Sequence, residues 1–183
     1  MSNEYAWVDL ASKRLWGQAL SCSDDFFAEM ENLIIPTDPV FIEDKYTHRG
    51  KWMDGWESRR SFGRDNGREF DWCIVRLGVA GVIKKVNVNT RHFKGNSPAS
   101  ISIEACFSDG EPDQDTDWVT VIGNTQVNAD ADNVIDVGSE QVFNHVRLNI
   151  FPDGGVARLN IWGEVHTDFS KLVEGELIDV ANI

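Results

Sequence analysis

Residues 50–60, GKWMDGWESRR, gather two tryptophans, an aspartate, a glutamate and two adjacent arginines about Gly55. Asp54, Glu57, Arg59 and Arg60 are costly to bury unless paired, so the stretch is expected to be a loop at a polar, aromatic-walled site. Arg59 and Arg60 offer rigid forks of donors matched to a carboxylate, and Trp56 offers a flat face to a planar ligand. A second reading of the same residues makes Trp52 and Trp56 core anchors and the charges surface ion pairs.

Two further polar stretches carry usable chemistry. Residues 92–96 supply His92, Lys94 and Asn96, and the PDGG segment supplies Asp153 ahead of Arg158. Loops at one end of a sandwich converge from distant sequence positions, so the three stretches are expected to line one pocket. Such a pocket holds arginines for a carboxylate, carboxylate and amide groups for urea-like hydrogens, and His92 to carry a proton. A lone loop histidine is more often a surface residue. A divalent metal on Asp54, Glu57, His92 or Asp153 is left open, but neither HExxH nor HxH occurs. No other cofactor signature is present. Neither a GxSxG nucleophile motif nor a phosphate-cradling glycine loop is found.

The elements that must position these residues read as strands. DWCIVRLG, residues 71–78, is a strand with Trp72, Ile74 and Arg76 on one face and Cys73, Val75 and Leu77 on the other. Gly78 and Gly81 bracket a turn, after which VIKKVNVNT alternates with Val82, Lys84, Val86 and Val88 on one side. ASISIEACF, WVTVIGNTQV, VIDVG and FNHVRLNIF follow as strands, PDGG as a tight turn, and ARLNIWGEV as the strand closing that hairpin. Residues 6–20 form a strand-like lead-in ended near Gly17. Residues 24–34 form a short helical turn capped by Ser23 or Asp24, with Phe27, Met30 and Ile34 on one face. Pro36 and Pro39 leave PVFI extended. SFGRDNGREF is an exposed loop, and residues 168–183 are a short helix or a strap. Short alternating strands with little helix indicate an all-β sandwich or jelly roll.

At 183 residues the chain suits one domain, taken as 1–165 with a tail over 166–183 that forms an interdomain or interface segment. A formal net charge of -13 argues against nucleic acid and anionic membranes, because both call for a basic footprint. Three separated cysteines without a CxxC pair suit reduced thiols. No signal sequence or membrane-length apolar run is seen, so a soluble, cytoplasmic protein is expected.

SDDFFAEMENLI, KWMDGWESRR, DWCIVRLG, NTRHFKGN, SIEAC and VRLNIFPDGGVARLNIWG, in this order, resemble the allantoicase family from about Trp7 to Gly163. The resemblance implies a jelly-roll β-sandwich of the galactose-binding-like type. It also implies hydrolysis of allantoate to ureidoglycolate and urea in purine degradation, with a small-molecule ureido substrate. On that chemistry Arg59, Arg60 or Arg158 would hold the carboxylate. Asp54, Glu57 and Asn96 would meet the ureido groups, with Lys94, Asp153 and Trp56 also contacting substrate, and His92 or a carboxylate would act as acid or base.

The family usually carries two tandem copies, and this chain carries one. It therefore reads as a homo-oligomeric single-repeat enzyme or as an inactive half of a two-copy protein. Asn89 stands where an aspartate is expected, and Phe70 where a histidine is expected. The alternative from another class is a non-catalytic ligand- or carbohydrate-binding module on the same fold.

Overall fold

The computed structural model describes residues 7–61 and 69–167, and the expectations for most of the SFGRDNGREF loop and for the tail from residue 168 onward lie outside them. The strands are β1 (Val8–Asp9), β2 (Gln18–Cys22), β3 (Tyr46–Thr47), β4 (Gly50–Lys51), β5 (Trp56–Glu57), β6 (Asp71–Asn89), β7 (Ser100–Cys106), β8 (Val119–Gln126), β9 (Asp132–Asp136), β10 (Val142–Phe151), β11 (Gly155–Val156) and β12 (Arg158–Val165). Helix is confined, among the described residues, to 3-10 turns at Lys13–Leu15 and Met30–Ile34. The expected helical turn thus starts later than Ser23 or Asp24, and the residue before it, Glu29, makes no side-chain cap.

The architecture turns on β6. Its first half pairs with β2 and β10, and its second half with β12 and β9. It therefore passes from one layer of an antiparallel jelly-roll sandwich into the other. β7 and β8 extend the β10 side, and β1 extends the β12 side.

Three expectations are corrected here. Gly78 and Gly81 do not bracket a turn, because β6 runs unbroken through both over 19 residues. They mark close backbone approach: a Cβ on Gly78 would lie 1.8 Å from the Leu15 carbonyl oxygen, and one on Gly81 2.4 Å from that of Glu164. The face pattern of VIKKVNVNT is also interrupted. The register steps from Trp162 opposite Lys85 to Gly163 opposite Ile83, leaving Lys84 as the extra residue of a bulge. Ile83, not Val82, therefore joins Val86 and Val88 in the core. Finally, β10 and β12 do not form a hairpin. Both flank β6, and the intervening Gly155–Val156 pairs with β5.

The core is built by alternation. Cys73, Val75 and Leu77 of β6, Ile101, Ile103 and Ala105 of β7, and Val146, Leu148 and Ile150 of β10 point inward with Leu159 and Ile161 of β12. Trp56 joins them, fully buried. Gly78→Ala is expected to cost about 1–3 kcal/mol, because the added methyl meets a backbone carbonyl that cannot rotate away. Urea denaturation measures it, and an unchanged midpoint would mean that the 13–15 turn yields freely.

His145 of β10 is 3% exposed, with Nδ1 2.7 Å from Asn144 Oδ1. Burial, then the nearby Arg76 charge, pushes its pKa below the ordinary 6.5, and Glu111 opposes them. The unfolded chain therefore binds this proton first as pH falls. His145 accordingly removes stability as pH drops below about 6.5. His145→Gln is expected to flatten the thermal midpoint between pH 7 and pH 5, and an unchanged slope would assign the effect elsewhere.

Candidate functional site

The three polar stretches do converge. β5 places Glu57 beside the 92–96 loop, where Asn96 Nδ2 donates to Glu57 Oε1 at 2.8 Å. Gly155 N–H donates to the Asn96 carbonyl at 2.7 Å, and Ser58 N–H donates to the Gly154 carbonyl at 3.1 Å. Gly154 adopts a φ of 129°, a left-handed value that favours glycine, which turns the PDGG segment back toward these partners. Phe93, fully buried, packs so close to Gly55 and Gly155 that a Cβ on either would overlap its ring.

A pocket of 270 Å³ opens beside this junction, lined by Phe41, Met53, His92, Lys94, Gly95 and Asn96. Asp130 sets the loop: its Oδ1 accepts from His92 N–H at 2.7 Å, where His92 sits at a φ of 72°. The His92 ring stacks on Phe41 with centroids 5.8 Å apart, and its Nε2 lies 3.2 Å from the Pro39 carbonyl. Phe41, Met53 and Asp130 were not singled out from sequence. PVFI reads only as an extended segment, and nothing local signals that it folds over a histidine 50 positions away.

Glu57 is a buried carboxyl, 9% exposed. Burial raises its pKa above the usual carboxylate value, and the Asp153 charge adds to that. The Asn96 hydrogen bond and the Arg60 charge offset part of the rise. Asp153 goes the other way. Burial alone would raise it, but the Ser61 N–H at 2.6 Å and Arg60 at 3.1 Å outweigh burial and hold it low.

The arginines expected to hold a carboxylate are each engaged by the protein. Arg158, 3% exposed, donates to Asp54 Oδ2 at 2.9 Å, and also to the Asp54, Ala157 and Thr37 carbonyls. Arg60 donates to Asp153 and to the Gly95 carbonyl. Arg59 pairs with Asp24 at 2.6 Å and borders a different hollow, with His48 and Arg49. Trp56 cannot face a ligand, since it is buried and its Nε1 donates to the Asp24 carbonyl at 2.9 Å. For Trp56 the core-anchor reading holds, because the indole completes the sandwich core beneath the site.

A family model described as the allantoicase repeat matches residues 8–166. The chain belongs to the allantoicase family. It is 48% identical over 161 residues to a probable allantoicase of Acinetobacter baylyi, covering 88% of this chain and 47% of that protein. It is 46% identical over 175 residues to a probable allantoicase of Pseudomonas savastanoi pv. phaseolicola, covering 95% and 52%. The chain thus spans about half the length of these allantoicase relatives. Among solved structures, the Saccharomyces cerevisiae allantoicase superposes with a TM-score of 0.74 at 36% identity, covering 86% of this chain and 48% of that one. A family 32 carbohydrate-binding module from C. perfringens superposes at 0.57 and 13% identity over 85% and 98%, a likeness of fold alone.

The two departures from the allantoicase pattern have defined places. Asn89 ends β6 buried, with Oδ1 accepting from Arg91 N–H at 2.8 Å, an acceptor role that an amide fills without a charge. With Arg158 it borders a separate cleft of 570 Å³ on the β12 face, so these two do not line the His92 pocket. Phe70 packs on Phe151 at 5.1 Å. Among the described residues no three His, Cys, Asp or Glu side chains form a metal cluster, and the Asp54 and Asp153 carboxylates are engaged by arginines. Likewise, among the described residues no helix is long and apolar enough to cross a membrane.

Proposed function

We propose that the chain is an allantoicase-type hydrolase, converting allantoate and water to ureidoglycolate and urea. The observation that carries this reading is the buried Glu57 carboxyl held on Asn96, which itself lines the His92 pocket, in a chain of this family. In the reaction the bond from the central carbon to one ureido nitrogen breaks. A bond from that carbon to a water oxygen forms, and the departing nitrogen takes a proton. Glu57, whose pKa burial raises, supplies that proton. His92 takes the proton released by the attacking water, and Asn96 orients both Glu57 and a ureido group. The three cysteines, all unpaired, support placement in the cytoplasm. The reading includes assembly as a homo-oligomer.

Urea release from allantoate by the purified chain, beside its mass by light scattering, tests the reading. Turnover from a dimer or larger assembly is expected, and repeating the assay with a chelator decides whether a divalent metal takes part. A folded chain that releases no urea but binds sugars would make it a binding module.

A further inference from the structure

We propose that Lys94 is the residue that selects for the negative charge of the ligand, with Asp130 as a built-in competitor that holds Lys94 while the pocket is empty. This rests on the His92 pocket being the substrate site.

The argument begins with elimination by geometry. A pocket for an anionic ureido compound needs a cation, and Arg59, Arg60 and Arg158 each have a carboxylate within 3.1 Å. Arg158 is buried against Asp54, and Arg59 borders another hollow. Among the described residues that line the His92 pocket, Lys94 is the one cation. Its side chain is 78% exposed, and its Nζ reaches Asp130 Oδ2 only at 3.8 Å, beyond hydrogen-bond length. A lysine carries its charge as a point on a flexible stem, so this long contact can be exchanged for a ligand carboxylate at small cost.

Asp130 is fixed independently of Lys94. Its Oδ1 accepts the His92 N–H, which, with the Lys94 charge, holds its pKa low. The rest of the pocket sorts by chemistry. Phe41 and Met53 contribute apolar surface, while Asn96 and His92 contribute polar groups. A ligand with a carboxylate at the Lys94 rim and a planar ureido group against Asn96 satisfies every side, whereas a neutral sugar leaves the ammonium with Asp130.

The test uses N-carbamoylglycine, a ureido acid, and its neutral primary amide as probes, with binding measured by calorimetry and no turnover needed. Wild type is expected to bind the acid about tenfold more tightly than the amide, the strength of one charge-assisted contact. Lys94→Ala is expected to erase that preference, and Lys94→Arg to restore it. Asp130→Asn keeps the acceptor for His92 N–H and suits the left-handed φ of 51° at this position, so the fold is retained. It is expected to tighten the acid and leave the amide unchanged. Equal binding of acid and amide by wild type, or an unaltered preference in Lys94→Ala, overturns the proposal. If the acid preference holds while urea release from allantoate is absent, the hydrolase reading fails and the Lys94 assignment stands. Where turnover is present, Lys94→Ala is expected to raise KM about tenfold with kcat little changed, because the contact is equal in ground and transition states.

Discussion

Glu57→Gln is expected to lower kcat for urea release by about 10²- to 10⁴-fold, the range for removing a general acid, while the protein stays folded. Glutamine keeps the shape of the side chain and can still pair with Asn96, so lost turnover with an unchanged melting temperature isolates the proton. The pH profile adds a second readout. Burial raises the Glu57 pKa, so its acid form persists above the usual carboxylate range, and kcat should fall as pH rises through the raised value. The Asn96 hydrogen bond lowers that pKa, so Asn96→Ala should move the falling limb to higher pH. Full activity in Glu57→Gln would remove Glu57 from the chemistry.

The largest loss of stability is expected at Arg158. Arg158→Ala leaves the Asp54 carboxylate buried without its cation, and the Asp54 and Thr37 carbonyls without their donors. Breaking a buried pair from one side costs about 3–5 kcal/mol. Replacing both partners, as Asp54→Asn with Arg158→Met, should cost clearly less than the single change, because no unpaired charge remains. Arg59→Ala is the contrast. Its side chain is 60% exposed although Asp24 is 3% exposed, and Asp24 keeps the Arg59 and Phe26 backbone N–H donors in the variant, so the change should cost less than Arg158→Ala. Urea-denaturation midpoints for the three variants measure this order. An Arg158→Ala midpoint no lower than that of Arg59→Ala would mean the loop relaxes to hydrate Asp54.

The sandwich was legible because alternation is a local property: β7, β8 and β10 fall within a few residues of ASISIEACF, WVTVIGNTQV and FNHVRLNIF. The errors lie where a distant backbone decides. Gly78 and Gly81 resemble a turn in sequence, yet they are small because the Leu15 and Glu164 carbonyls press against them. The PDGG segment resembles a hairpin, yet β6 lies between its two strands.

The site divides in the same way. Residue types and order alone determined the family, the all-β class and the meeting of the 54–60, 92–96 and PDGG stretches. Tertiary structure decided which charges remain for chemistry. Asp54, Asp153 and Arg158 look like site residues by type, but each partner lies some 90 or more positions away, and burial pairs Asp54 with Arg158 and Asp153 with Arg60. Glu57 was a catalytic candidate beside Asp54 and His92, and its Asn96 partner sets it apart from Asp54 and Asp153, which are buried as deeply but held by arginines. Charge pairing and desolvation depend on distance in space, which the order of residues does not contain.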